Sequence, residues 1–275
     1  MLAWIRANFG PNTTLLGICS GNEILADTGL EAGRTATTNT GTFAYVQSHA
    51  PTRTWLHNVR YLDDGNIVTS SNLTAGIDAA LHIVDRVAGR VTALDVARQI
   101  GFTHTSTLDD PRFEPPTDNL VQIATNAALQ FPPQKEQVGV LVYDGVTELG
   151  ISGIVDPIAG SLSASTFIMA PERRILQSRD GFLFLPRYSF ASAPALDRVI
   201  VAAGENDAAK QQVVAAWSAS HPRQMAEDLY RNVGSGQSAY DVSFADLART
   251  HNAFIARTMA HILFYTTDSN FPGAA

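Results

Sequence analysis

Leu15-Leu16-Gly17-Ile18-Cys19-Ser20-Gly21-Asn22 is the stretch that decides the fold of this chain. A short apolar run, Leu15 to Ile18, stops abruptly at small and polar residues. An amphipathic helical pattern, Glu23 to Leu30, follows at once. A buried run, a tight turn and a helix in succession make a βα unit of a parallel sheet. Gly17 and Gly21 flank Cys19 in a Gly-x-Cys-x-Gly pattern, the form of a nucleophile elbow with cysteine as the nucleophile. Glycines are expected on both sides because so sharp a strand-to-helix turn leaves no room for neighbouring side chains. A helix N-terminus favours the reactive thiolate, and the Ser20 amide is the natural oxyanion donor. The alternative is a small buried thiol, the usual fate of a lone cysteine.

Moving outward, Val59 to Leu62 and Ile67 to Ser70 flank Asp63-Asp64-Gly65-Asn66, which reads as a β-hairpin. Gly76 to Gly89 places Ile77, Leu81, Val84 and Val87 at helical spacing, and a second helix spans 91–100. Residues 109–137 change character: Pro111, Pro115-Pro116 and Pro132-Pro133 bracket one helical segment, 119–129, in what is otherwise a linker. Strand-like Val- and Ile-rich runs resume at 138–143, 165–170, 174–177, 182–186 and 198–202, with helices at 210–220 and 244–264. Residues 77–102 align without gaps onto 240–265, pairing Val84 with Leu247 and Arg86 with Arg249. Leu2-Ala3-Trp4 likewise matches Ala215-Ala216-Trp217. The pattern suggests a duplication whose second copy lacks the piece holding the elbow.

A net charge of −7, with no basic run longer than Arg173-Arg174, argues against nucleic acid. The single cysteine rules out an intrachain disulfide framework, so a reducing, cytoplasmic compartment is expected. Apolar stretches fall short of the ~20 residues that a membrane span needs, and the N-terminal residues do not form a signal-peptide pattern. The glycosylation triplets at Asn12 and Asn72 therefore lack a secretory context. No His or Cys spacing suggests a metal, and there is no phosphate-binding glycine loop, so no cofactor is expected.

The segments "LLGICSGNEILADTGLEAGRTATTN" and "RYLDDGNIVTSSNLTAGIDAALHIVDRVAG" resemble the C-terminal half of the ThiJ/PfpI superfamily, the class I glutamine-amidotransferase-like fold. Within it they are similar to isonitrile-hydratase-like proteins and to the sensor domains of some AraC-type regulators. "VGVLVYDGVTELGISGIVDPI" and "SRDGFLFLPRYSFASAPALDRVIVAAG" resemble its N-terminal half, so the halves stand in reversed order. The resemblance implies an elbow half over 1–108, a linker over 109–137, and a shortened second copy over 138–275. It also exposes departures. Gly150 stands where relatives carry an acid beside the cysteine; Glu148, two residues away in a strand-like segment, either faces the same side of the pocket or, the reading preferred, is a solvated loop residue. Asn39 in Thr37-Thr38-Asn39-Thr40 replaces the histidine of "TTHW", and Ala202-Ala203-Gly204 replaces Pro-Gly-Gly. Losing both partners weakens a thiolate nucleophile. His49 and His57 remain candidates as bases, while His82 reads as a packed or half-exposed helix residue.

The expected architecture is a three-layer, flavodoxin-like α/β sandwich with a mainly parallel sheet. Its halves combine either into one permuted, composite sheet or across a homodimer. The expected function is a small-molecule-binding, sensor or regulatory protein with weak or no catalysis. The alternatives are a cysteine-dependent hydratase, hydrolase or glyoxalase acting on a small electrophile, and a redox-responsive thiol.

Overall fold

Apolar residues spaced for one buried face produce the first set of elements in the computed structural model of the chain, which describes residues 1–30, 32–113, 135–233 and 236–265. Helix α1 (Leu2–Asn8) leads to strand β1 (Leu15–Ile18) and helix α2 (Gly21–Thr28). Strand β2 (Thr35–Ala36), helix α3 (Phe43–His49) and strand β3 (Thr54–Trp55) follow. Next come the hairpin of β4 (Tyr61–Asp64) and β5 (Ile67–Ser70), then helices α4 (Ala75–Ala88) and α5 (Arg90–Ile100). β5 lies between β1, which it pairs in parallel, and β4, which it pairs antiparallel. All four β5 residues are buried, as a strand covered on both faces requires. The hairpin turn is closed by Gly65 at φ +74°, a left-handed position natural to glycine.

The second set comprises β6 (Glu136–Leu141), α6 (Glu148–Gly160), β7 (Ala164–Ala170), β8 (Leu176–Gln177), β9 (Leu183–Phe184) and β10 (Tyr188–Ser189). It continues with β11 (Arg198–Val201), α7 (Asp207–Ser220), β12 (Ala226–Glu227), α8 (Ala239–Thr250) and α9 (Ala253–Leu263). Its main sheet runs β10-β7-β6-β11-β12, parallel throughout, with the chain leaving β6 in both directions. Leu141, Met169, Val199 and Val201 pack with Phe190 and the buried Trp217 of α7 to form its core. The fold is α/β with mainly parallel sheets, flavodoxin-like in class.

Three sequence expectations change. Among the described residues β1, β5 and β4 form a sheet of their own, so the single composite sheet is not made. The segment around Glu148, read as strand-like, is helix α6, because the Thr147 side chain caps it by accepting the Gly150 N–H at 3.0 Å. The single helix expected over 244–264 is two, α8 and α9, the second begun by Asn252 Oδ1 accepting the Ile255 N–H at 2.9 Å. The helix expected at 119–129 lies outside the described residues. Both stretches of the internal match fold as helix pairs, α4–α5 and α8–α9.

Among the described residues, contacts gather 1–97, 104–113 and 260–265 into one unit, and 98–103 and 135–259 into a second. In the first, Arg60 and Asp78 form a buried ion pair at 2.6 Å, and the Thr107 hydroxyl donates to Asp78 Oδ1 at 2.6 Å.

Burial raises the phenols of Tyr61, Tyr143, Tyr230 and Tyr240, that of Tyr61 to about 12. A phenol that ionises later in the folded chain contributes stability that is whole below the ordinary value of about 10. That contribution is lost as pH rises from there through the folded value. A tyrosinate absorbance titration of the folded protein should therefore show these four phenols ionising late, with melting temperature falling above about pH 10. These four ionising near the ordinary value while the chain stays folded would contradict the burial.

Candidate functional site

β1 ends at Ile18, and the chain enters α2 through Cys19 and Ser20. Cys19 has φ +54°, a left-handed conformation that costs an L-residue about 1–2 kcal/mol. Hydrogen bonds hold it there. The Cys19 N–H donates to Ser70 O at 3.1 Å, and the Asn22 N–H donates to Cys19 O at 3.1 Å. The Thr38 hydroxyl also donates to Cys19 O, at 3.2 Å. The Ser20 and Gly21 amides have no acceptor among the described residues, as is usual in a first helical turn, and are free for an anion.

The glycines divide unequally. A Cβ on Gly17 would fall 1.9 Å from Asn22 Oδ1 and 2.7 Å from Leu25 Cδ1, and one on Gly76 would fall 2.8 Å from Ile18 Cγ2. On Gly21 it would meet nothing within 4 Å, so the crowding expected there is absent. Gly21 opens α2 toward free space, whereas Gly17 is the close approach between strand and helix. Gly17→Ala should cost about 1–3 kcal/mol in denaturant unfolding and Gly21→Ala less than about 0.5. Equal costs would contradict this geometry.

Of the residues singled out in the sequence, Asn39 comes to the turn: its Nδ2 donates to Ser20 Oγ at 3.0 Å and to Thr42 Oγ1 at 2.9 Å. Cys19 itself is half-buried, and its thiol donates to Asn72 Oδ1 at 3.8 Å. Asn72 was not anticipated. The available signal was its place just past the carboxyl end of β5, the strand beside β1, where α/β sites gather. His49 lies 2.9 Å from both Ser48 Oγ and Tyr45 O, and His57 stacks on Phe43 at 3.6 Å. His82, beside Asp63 at 2.7 Å, is packed as its helical position implied. Beneath the turn, Asn22 Oδ1 and Ser70 Oγ are buried without a hydrogen-bond partner among the described residues.

Residues 1–86 match the model of the DJ-1/PfpI family. Similar solved structures include a ThiJ/PfpI family protein from Pseudomonas syringae, 17% identical with TM-score 0.38, over 52% of this chain and 80% of that one. Drosophila melanogaster DJ-1beta is 11% identical with TM-score 0.37, over 48% and 100%. An AraC family transcriptional regulator from Pseudomonas putida is 13% identical with TM-score 0.33, over 46% and 92%. No curated protein matches the sequence.

The remaining site candidates, Glu148 and Gly150, belong to the unit outside the DJ-1/PfpI-matching segment. Glu148 opens α6 and accepts a hydrogen bond from the Ser178 hydroxyl, so it is a helix residue with a partner and not a solvated loop residue. Gly150 is not a vacant place for an acid: a Cβ there would stand 2.3 Å from Ala203 O and 2.6 Å from Thr147 Oγ1. The same unit holds a cavity of about 290 Å³ beside the carboxyl ends of β6 and β7. Val142, Leu176 and Val213 line it, with Asp144 and Arg174 ion-paired at 2.6 Å. Among the described residues no cluster of His, Cys, Asp and Glu could hold a metal, and no helix is long and apolar enough to cross a membrane.

Proposed function

We propose that this ThiJ/PfpI-type chain is a small-molecule-binding protein with a sensor or regulatory role, in which Cys19 sits at a nucleophile elbow but turns substrate over slowly or not at all. The observation that carries the reading is the sulfur's hydrogen bonding. Its partner among the described residues is the neutral amide of Asn72, with no carboxylate or imidazole bonded to it. A thiol nucleophile gains its strength from a base or a cation, and this one has neither. The positive φ at Cys19 and the free Ser20 and Gly21 amides fit an elbow with an oxyanion site. The apolar cavity beside β6 and β7 fits ligand binding. An internal duplication, a homodimer and a reducing cytoplasmic setting belong to the same reading.

The test is turnover of isonitriles and α-oxoaldehydes by wild-type protein and Cys19→Ala. General acid–base assistance is worth about 10²–10⁴-fold, so wild-type kcat/KM should fall well below about 10⁴ M⁻¹s⁻¹. A Cys19-dependent value at or above that figure would overturn the proposal in favour of a cysteine-dependent hydratase, hydrolase or glyoxalase. Turnover that survives Cys19→Ala would remove Cys19 from the chemistry.

A further inference from the structure

We propose that Asn72 is a positioning residue that keeps the proton on Cys19, and that the end of α9 locks it in that orientation; this rests on Cys19 being the reactive group. A carboxamide has a donating end and an accepting end, and the end that faces a thiol decides which protonation state is favoured. Two bonds fix the choice here. Asn72 Nδ2 donates to Ile262 O, while the Leu73 N–H donates to Asn72 Oδ1 at 2.7 Å. The donor end is thus spent on a carbonyl, and the acceptor end faces Cys19 Sγ at 3.8 Å. An acceptor in that place stabilises S–H and repels the thiolate.

The lock is itself anchored. Ile262, Leu263 and Phe264 present consecutive carbonyls at the end of α9, where a helix has no internal donors left. Asn72 takes the first, the Thr74 hydroxyl takes the second at 2.6 Å, and Arg60 Nη1 takes the third. Phe264 has φ +58°, which ends the helix there. All of these residues lie in one unit. The titratable and charged groups on the neighbouring elements are Glu23 and Asp27 on α2, Asp78, His82, Asp85 and Arg86 on α4, Arg257 and His261 on α9, and Arg60 just before β4. None of them is hydrogen-bonded to the sulfur. Withdrawal of the α9 end would free the amide to turn its N–H toward the sulfur, so the contact acts as a brake on the thiol.

The experiment is the rate of iodoacetamide alkylation of Cys19 in the full-length chain at about pH 7 and about pH 10, which lie on either side of the free-thiol value near 8.5. The thiolate attacks carbon and iodide leaves, so the ratio of the two rates reports the thiolate fraction. Removing one hydrogen bond to the protonated form is worth about 0.5–1.5 kcal/mol, or about 2–10-fold. Asn72→Ala should therefore speed alkylation by that factor at about pH 7 and leave the rate at about pH 10 unchanged. Asn72→Asp, nearly isosteric, should slow it at about pH 7, and carries the test alone if the alanine variant does not fold. Parallel changes at both pH values would mean Asn72 acts only sterically and would overturn the proposal, as would an unchanged ratio or no labelling at either pH. Fast wild-type turnover with the ratio shifting as described would defeat only the functional reading above.

Discussion

Arg60→Leu should lower the stability of the protein by about 3–5 kcal/mol, the usual cost of removing one partner from a buried ion pair. Arg60 is 1% exposed and Asp78 fully buried, and Arg60 Nε donates to Asp78 Oδ2 at 2.6 Å. Burial pushes the Asp78 carboxyl up, and the Arg60 charge and the Thr107 hydroxyl oppose that push. Without the guanidinium the burial effect is opposed only by the Thr107 hydroxyl and, more weakly, His104, so Asp78 takes up a proton on folding at a pH where the unfolded chain does not. Native then binds more protons than unfolded, and stability falls as pH rises above the ordinary carboxylate value of about 4. The loss should accordingly be larger near pH 7 than near pH 4, and Arg60→Leu/Asp78→Leu should recover much of it. Denaturant unfolding of the two variants at both pH values measures this. A single-variant loss below about 1 kcal/mol would show that the pair is not buried as described.

The parts of this molecule that were legible in the sequence are local. Leu15 to Asn22 announced a strand, a turn and a helix because the apolar run, the cysteine and the helical spacing are contiguous, and the Asp64–Ile67 turn carried its own glycine. The glycines misled on which side is crowded. Gly17 faces the first turns of α2, where Asn22 and Leu25 return over the strand, and Gly21 is already past them. α6 escaped because Gly150, Ser152 and Gly153 are poor helix formers. Tight packing on Ala203 O and Ala239, which no window of sequence contains, keeps those positions small. β12 is two residues long, too short for a periodic signal, so its pairing with β11 could not be read ahead of the fold. Asn72 and Ile262 stand 190 residues apart, and only the folded chain brings the amide, the carbonyl and the thiol together.

Gly150→Asp, which on family grounds would restore a missing acid, should instead destabilise the protein by about 3–5 kcal/mol and leave Cys19 reactivity unchanged. The first contribution is steric: the new Cβ would press on Ala203 O at 2.3 Å and Ala203 C at 2.9 Å, backbone atoms in the segment leaving β11 that cannot swing aside. Overpacking of this kind costs about 1–3 kcal/mol. The second is electrostatic, since position 150 is buried and a carboxylate placed there loses its hydration. Gly150→Ala separates the two by carrying only the steric part, about 1–3 kcal/mol. Thermal or denaturant melts of both variants, with iodoacetamide labelling of Cys19 alongside, decide the matter. An unchanged midpoint for Gly150→Asp would require α6 to stand away from the Ala203 carbonyl. A faster Cys19 reaction in that variant would bring the acid to the sulfur and restore the catalytic reading that Asn72 now displaces.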